Sequence, residues 1–238
     1  MANPRLGPAI LTRVRRELGL VLALALIAGG VLGFLALADL VVGGETTAFD
    51  IQVLMAFRKG GDPAVAIGTP WLPTVMRDIT ALGGTAVLGL IVLFTVIYLV
   101  LVRRVAAAAF VAGAVLSGVA LSQVLKAFFD RARPDLVPNA PIELSASFPS
   151  GHSMMAAVTY LTLGALLARI EPDRRVRSFF PLVAVVLTVL VGVSRVYIGV
   201  HWPTDVLGGW LLGAAWAMAC WLVASWLQRT RAPRGAGD

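Results

Sequence analysis

The stretch that decides the fold is 105-VAAAAFVAGAVLSGVALSQVL-125, which contains no charged residue and no histidine. A helix needs about 20 mostly apolar residues to cross a bilayer, because each residue advances about 1.5 Å through about 30 Å of hydrocarbon. Apolar and polar residues do not alternate along this stretch, as they would in a strand of a membrane barrel. A helix also pairs its own backbone polar groups, which lipid cannot do for it. Residues 105–125 are therefore predicted to span a membrane as a helix.

Five other runs without charge or histidine accompany this stretch. They are Leu18–Ala38, Ile79–Val102, Ser153–Ala168, Ser178–Ser194 and Val206–Gln228. The runs that begin at Ser153 and Ser178 have only 16 and 17 residues, so we expect them to extend into flanking residues. Hydrophobic residues make up 58% of the chain and charged residues 14%, against roughly 45–50% and about 25% in soluble domains. The predicted fold class is all-α: a polytopic membrane helical bundle with six transmembrane helices in a single domain, 1–238.

The basic residues are unevenly distributed between the two ends of these runs. Residues 1–17, 103–104, 169–177 and 229–238 together hold 13 of the 20 Lys and Arg residues but only four of the 13 acids. An excess of Lys and Arg marks the cytoplasmic side of a membrane protein. The basic N-terminus, 1–17, and the basic tail, 229–238, are thus both predicted to be cytoplasmic. Membrane topology then accounts for the net charge of +7, and no nucleic acid is expected as a partner.

Two features stand at the end of the first run and directly after it. Ala36-Leu37-Ala38 has the form of a signal-peptidase site, but the apolar part before it is longer than a signal core of about 7–15 residues, so we expect a retained anchor. The following segment, 39–78, is predicted to be an outer loop. It contains Phe49, Val53, Leu54 and Phe57 at helical spacing, which fits either a helix lying in the membrane interface or a packed loop helix.

Three short polar segments lie at the ends of the later runs. They are 126-KAFFDRARP-134, 149-PSGH-152 and 194-SRVYIGVHWPTD-205. The predicted topology places all three on the outer face, because they follow the outward runs and precede the inward ones. Charged groups are costly near a membrane span and usually mark function. We therefore expect these three segments to form one site.

The residue types in the three segments suit a phosphate group. Lys126 and Arg133 are seven residues apart, close to two helical turns, and they combine a compact charge with a planar fork that matches phosphate oxygens. Ser150-Gly151-His152 stands where a span begins, and a helix N-terminus favours an anion. His201 and Asp205 are four residues apart, so one helical turn can bring the carboxylate to the imidazole.

The three segments resemble the signatures of the type 2 phosphatidic acid phosphatase superfamily, and the six predicted spans resemble its bacterial membrane branch. The resemblance implies that His201 is the nucleophile, that Asp205 orients it, and that His152 protonates the leaving group. It also implies that phosphate is bound by Lys126, Arg133, Ser150, Gly151 and Arg195. No metal and no cofactor are expected. Asp130 and Arg131 stand at variable positions of the first signature, and we interpret them as a solvated local ion pair.

The function that this resemblance implies is an integral-membrane lipid phosphatase acting through a phosphohistidine. The expected partners are a membrane lipid phosphate and the bilayer. Undecaprenyl diphosphate is slightly preferred as substrate over phosphatidylglycerophosphate or phosphatidic acid. The expected location is a bacterial inner membrane, with the site on the periplasmic or extracellular side and residues 79–228 as the catalytic core. Two alternatives remain open, a lipid-to-lipid phosphotransferase and a non-catalytic lipid-binding or translocating protein, and so does the oligomeric state.

The two histidines predict a bell-shaped dependence of rate on pH. One imidazole must be neutral to attack phosphorus and the other protonated to release the leaving group, so the rate falls on both sides of an optimum. Measuring kcat between about pH 4 and 9 tests this assignment. A rate that rose steadily across the whole range would contradict it.

Overall fold

The computed structural model describes residues 8–138, 140–141 and 143–231, with the side chains of 8–13, 15–16 and 228–231 left aside. The ends of the predicted N-terminal and C-terminal segments, 1–7 and 232–238, lie outside the described residues. Within the described ranges the chain is helical and has no strand. The helices are α1 (Pro8–Val42), α2 (Thr47–Ala56), α3 (Leu72–Ala81), α4 (Thr85–Leu101), α5 (Val105–Phe129), α6 (Gly151–Ile170), α7 (Arg174–Ile198) and α8 (Pro203–Arg231).

Five of these helices are long and apolar enough to cross a membrane, and α3 with α4 supplies a sixth span in two parts. The predicted all-α membrane bundle is therefore confirmed. The two short runs do borrow flanking residues, since α6 has 20 residues and α7 has 25. The run Ile79–Val102 was expected as one helix, and this is wrong. Its helices α3 and α4 meet at 44°, and Gly83 and Gly84 stand at the break, where glycine is a poor helix former.

Helix α6 lies inside the bundle, between α5, α7 and α8. Half of its most apolar window is buried, a larger share than in the other candidate spans. Small residues explain how closely α8 approaches it. A Cβ on Gly209 would lie 2.8 Å from the carbonyl oxygen of Ser150, and one on Gly213 would lie 2.7 Å from that of Met154. Glycine at these two positions lets the backbones of α6 and α8 come into direct contact.

Helix α7 ends sharply and returns the chain to the start of α8. Gly199 adopts a left-handed conformation with φ of +88°, and its N–H bonds the carbonyls of Arg195 and Val196. This is the usual way for glycine to close a helix. The turn therefore places Arg195, in the last turn of α7, beside His201, which precedes α8.

The segment 39–78, predicted above to be an outer loop, contains a short helix that packs on the bundle. In α2, Asp50 and Leu54 are fully buried, whereas Phe49 is 48% exposed. Asp50 accepts hydrogen bonds from the backbone N–H and the hydroxyl of Thr204, at 3.0 and 2.7 Å. One side of α2 is thus attached to the first turn of α8, and Phe49 remains exposed outside this contact.

The contact between α6 and α8 predicts a sharp difference between two glycines. Gly213→Ala places a methyl group against the α6 backbone and should destabilise the protein by about 1–3 kcal/mol. Gly89→Ala is the matched control, because a Cβ there meets nothing within 4 Å and alanine is the better helix former. Both effects are measured by heating the detergent-solubilised protein and finding the temperature at which half of its monodisperse peak in size-exclusion chromatography is lost. Equal loss for the two variants would contradict the assigned packing.

Candidate active site

Four helix ends carry the predicted site residues. The last turns of α5 and α7 contain Lys126 and Arg195, and the first turns of α6 and α8 contain His152 and Asp205. The other members lie beside them at the same end of the bundle. These are Arg133, Ser150, Gly151 and His201. The structure thus brings every predicted site residue together.

His201 lies between the carboxylate of Asp205 and the guanidinium of Arg133. Its Nδ1 lies 3.3 Å from Oδ2 of Asp205, and its Nε2 lies 3.0 Å from Nη1 of Arg133. A guanidinium only donates hydrogen bonds and a carboxylate only accepts them. Both contacts are therefore satisfied by a neutral imidazole that carries its proton on Nδ1. This tautomer leaves the lone pair of Nε2 facing Arg133.

The surroundings keep His201 neutral. Only 1% of the residue is exposed. Burial, together with the positive charges of Arg195, Arg133 and Lys126, holds the pKa of His201 well below its usual value. A neutral imidazole is the form that a nucleophile requires.

Asp205 is anchored through both carboxylate oxygens as well as through its backbone. Oδ2 accepts the N–H of Trp202 at 2.9 Å in addition to facing His201. Oδ1 accepts a hydrogen bond from Arg131 at 2.6 Å. The carbonyl oxygen of Asp205 accepts the N–H of Ser150 at 2.9 Å. This last bond ties the start of α8 to the start of α6.

Arg131 corrects the sequence interpretation. It was expected to form a solvated pair with Asp130, but it turns inward and forms ion pairs with Asp50 at 2.7 Å and Asp205 at 2.6 Å. Asp130 is exposed and ends α5 in a left-handed conformation. The two neighbours therefore point to different environments, because α5 ends at Phe129 and the left-handed Asp130 turns the chain.

The loop before α6 contacts Lys126 and Arg133, the two cations of the first signature. Lys126 donates to Oγ of Ser145 at 3.0 Å, and Arg133 donates to the carbonyl and hydroxyl oxygens of the same residue, at 2.7 and 3.1 Å. Arg133 also donates to the carbonyl of Val200 at 2.8 Å. Lys126 and Arg133 thus meet around one loop residue, next to His201.

The start of α6 is shaped for close approach. Ser150 caps the helix, and its buried hydroxyl accepts hydrogen bonds from the N–H and hydroxyl of Ser153, at 3.4 and 3.0 Å. A Cβ on Gly151 would lie 3.4 Å from Cε of Lys126. Glycine therefore leaves room for Lys126 directly beside the helix N-terminus, where free N–H groups favour an anion.

His152 completes the cluster on the side of the α3–α4 break. A Cβ on Gly84 would lie 3.8 Å from its Nε2, and one on Gly83 would lie 3.4 Å from its Cβ. Arg195, Glu143, Lys126 and Arg133 are near enough to act on it electrostatically. The two histidines therefore face the same three cations, His152 from the first turn of α6 and His201 from the turn before α8.

Glu143 is a site residue that the sequence did not indicate. Its carboxylate forms ion pairs with Arg195 and, at 3.5 Å, with Arg133. Burial alone would raise the pKa of Glu143, but the hydrogen bond and charge of Arg195 and the charge of Arg133 outweigh burial and lower the pKa to about 2. The carboxylate is thus ionised and occupies two of the three cations. No pattern marks this position, because it lies in the irregular loop between two signatures.

In the part of the chain that the structure describes, no group of three or more His, Cys, Asp or Glu side chains is arranged to hold a metal ion.

Helices of this length, with two histidines and three cations at one end, define a membrane protein built to handle a phosphate group. The sequence model of the PAP2 superfamily matches residues 107–229, which include all three polar segments. The chain belongs to this superfamily, and the resemblance noted from the sequence is confirmed. It is a membrane lipid phosphatase, that is, a hydrolase acting on lipid phosphates.

Two curated relatives carry functional names. The chain is 39% identical over 151 residues to phosphatidylglycerophosphatase B of Bacillus subtilis (strain 168), which covers 63% of this chain and 74% of the relative. It is 43% identical over 68 residues to an undecaprenyl-diphosphatase of Sulfolobus acidocaldarius, 29% of each protein. The first similarity extends over more than twice as many residues as the second.

Two solved structures share the fold. The crystal structure of a transmembrane PAP2-type phosphatidylglycerolphosphate phosphatase from Bacillus subtilis superposes with a TM-score of 0.75 at 30% identity, covering 88% of this chain and 98% of that one. The crystal structure of Aquifex aeolicus LpxE gives a TM-score of 0.52 at 24% identity, covering 74% and 93%. The second comparison supports the fold alone.

The position of Glu143 predicts competition with substrate. Glu143→Gln removes the negative charge from Arg195 and Arg133 and should lower KM for a lipid phosphate by roughly 3- to 10-fold, equal to about 0.7–1.4 kcal/mol. The pKa of about 2 keeps the wild-type carboxylate ionised at every working pH, so the ratio of the two KM values should not vary between about pH 5 and 8. Steady-state kinetics in detergent measure the ratio.

Asp78→Asn is the matched control for net charge, since Asp78 is exposed on α3. It should leave KM unchanged. A higher KM in Glu143→Gln would overturn the expectation and assign Glu143 to holding Arg195 in place instead.

Proposed function

We propose that this protein removes the terminal phosphate of phosphatidylglycerophosphate at the extracytoplasmic side of a bacterial inner membrane. The observation that carries the catalytic part is the pairing of His201 with Asp205 on one nitrogen and with Arg133 on the other. This arrangement supplies an oriented nucleophile with a phosphate-binding cation beside it. The choice of lipid is supported by the longer similarity to the Bacillus subtilis phosphatase.

Two chemical steps follow from the arrangement. In the first, the lone pair of His201 Nε2 attacks phosphorus, the bond from phosphorus to the lipid oxygen breaks, and His152 gives its proton to that oxygen. In the second, His152 takes a proton from water, the water oxygen attacks phosphorus, and the phosphorus–nitrogen bond breaks to release phosphate. Asp205 keeps the Nδ1 proton in place during both steps and stabilises the positive charge that develops on the ring.

The cations stabilise the transition state. Lys126, Arg133 and Arg195 surround the reacting group, and the helix N-terminus at Gly151 adds free N–H groups. Charges fixed in a buried site stabilise developing negative charge without needing to reorganise during the reaction. These residues would thus bind the three peripheral oxygens as phosphorus passes between lipid oxygen and nitrogen.

The charges at the site suit a phosphate group on a lipid. Three cations offset by Glu143 leave two positive charges around the expected phosphate position, which attract the negative oxygens of a monoester and of a diphosphate alike. Undecaprenyl diphosphate, slightly preferred from the sequence alone, becomes the second candidate, supported by a 68-residue similarity to an undecaprenyl-diphosphatase.

The orientation in the membrane is part of the proposal. The catalytic helix ends lie opposite the links 103–104 and 171–173, which are flanked by arginines. Because such arginines favour the cytoplasmic side, the site would face outward. A lipid substrate would then keep its chains in the outer leaflet while its phosphate enters the site.

A phosphate-release panel tests the proposal. Purified protein in detergent is given phosphatidylglycerophosphate, undecaprenyl diphosphate and phosphatidic acid, with His201→Ala as the control. We expect the highest kcat/KM for phosphatidylglycerophosphate and a loss of at least about 1,000-fold in the variant, because a nucleophile is removed. Acid-labile label retained on the wild-type protein after rapid quenching would report the phosphohistidine.

Each other outcome selects a different function. Faster release from undecaprenyl diphosphate would replace the proposed substrate. Labelled phosphate that appears on an acceptor lipid would indicate a phosphotransferase. Release no greater than that of His201→Ala for all three lipids would favour a non-catalytic lipid-binding protein.

A further inference from the structure

Arg131 stands at the centre of a buried charge cluster that the three signatures do not include. Its Nη1 donates to Oδ1 of Asp205 at 2.6 Å and to the hydroxyl of Thr204 at 2.8 Å. Its Nη2 donates to Oδ2 of Asp50 at 2.7 Å and to the hydroxyl of Thr46 at 3.4 Å. The guanidinium therefore joins the orienting acid of the site to a second acid that comes from another part of the chain.

The second acid, Asp50, also holds the helix on which Asp205 stands. It lies on α2 and is fully buried. Besides Arg131 it binds the backbone N–H and hydroxyl of Thr204, at 3.0 and 2.7 Å. Thr204 directly precedes Asp205, so α2 fixes the first turn of α8 at the point where the carboxylate emerges.

The cluster of Asp50, Arg131 and Asp205 has a net negative charge, and Asp205 brings that charge next to His201. Asp50 and Asp205 contribute two negative charges and Arg131 one positive charge, which leaves one negative charge beside the imidazole. On its other side His201 faces positive groups from three further elements. They are Arg133 on the loop, Lys126 on α5 and Arg195 on α7, with His152 on α6 close behind them and Glu143 pairing with Arg133 and Arg195.

Arg131 is reachable from solvent, although its partners are not. Its side chain is 16% exposed, against 1% for Asp50 and none for Asp205. It borders a cavity of about 500 Å³ that is also lined by Asp50, Arg133, Asp135 and Trp202. The guanidinium carbon of Arg131, Cζ, lies over the ring of Trp202, 5.8 Å from the ring centroid. Arg131 thus stands at the edge of this cavity, whereas Asp205, its partner at the catalytic site, does not line it.

We propose that Arg131 and Asp50 are positioning residues that orient the Asp205 carboxylate toward His201 and set the net charge beside the nucleophile. The proposal rests on the proposed function, because it takes His201 as the nucleophile. Arg131 and Asp50 touch neither the reacting phosphate nor the leaving group and act through Asp205. The short helix α2 would in this way be part of the catalytic machinery.

A double-mutant cycle tests the proposal on the wild-type reaction. Arg131→Gln removes the positive charge of the cluster, so protonation of His201 or of one of the two buried carboxylates becomes more favourable and the acidic limb of the kcat profile moves to higher pH, by roughly one pH unit. Asp50→Asn leaves the cluster neutral and moves the limb to lower pH. The double variant Asp50→Asn with Arg131→Gln restores one negative charge, and its limb returns toward the wild-type position.

The magnitude of kcat and KM gives a second readout. Loss of a residue that orients a catalytic group through another typically costs 10- to 100-fold, so we expect kcat of Arg131→Gln to fall by about that factor. KM should stay within about threefold, because Lys126, Arg133 and Arg195 are intact. Arg131→Lys keeps the charge and should recover the position of the acidic limb, though not the full kcat, since lysine cannot bridge both acids at once.

Asp135→Asn is the matched control. Asp135 lines the same cavity but takes no part in the contacts of Arg131 described above, so its kcat and acidic limb should match those of the wild type. Limbs that coincide in all folded variants, or KM values that rise together with a fall in kcat, would overturn the positioning role. Absence of phosphate release from the wild type would instead overturn the proposed function, so the two failures are distinguishable.

Discussion

The site depends on the direct contact between the N-terminal ends of α6 and α8. Gly209 and Gly213 bring the two backbones together, and the N–H of Ser150 bonds the carbonyl of Asp205 at 2.9 Å. A helix end buried next to another helix would normally leave backbone groups without partners, which is costly in a membrane. Here the carbonyl of Asp205, in the first turn of α8, supplies a partner for the N–H of Ser150 at the start of α6. His152 and His201, which belong to different parts of the sequence, meet because of this contact.

The second requirement is that several charges are buried together. Isolated buried charges are strongly unfavourable, whereas charges with hydrogen-bonded partners are tolerated. Arg195 pairs with Glu143, Arg131 pairs with Asp50 and Asp205, and Lys126 and Arg133 bind Ser145. The acids therefore do more than balance the net charge. They keep Arg131 and Arg195 in a defined orientation before any substrate arrives.

The sequence predicted most of the bundle and the members of the site, for reasons that are local. A run such as 105–125 contains its own evidence for a span, and the spacing from His201 to Asp205 fits one helical turn. The break at Gly83 and Gly84 was missed because the hydropathy of the run continues across it. Glu143, Arg131 and Asp50 were missed because their partners are 52, 74 and 81 residues away in the chain. Only the path of the irregular loops decides which of these charges meet.

The contact between Arg133 and Nε2 of His201 has a consequence for the resting protein. At 3.0 Å the guanidinium engages the lone pair that attacks phosphorus in the proposed mechanism. In that mechanism a phosphoryl group that reaches this nitrogen draws the guanidinium onto its own oxygens, and the same movement uncovers the lone pair. Recognition and activation would then be one event. An electrophile without negative oxygens cannot bind the Arg133 guanidinium, so the guanidinium stays on Nε2 of His201 and the imidazole does not react.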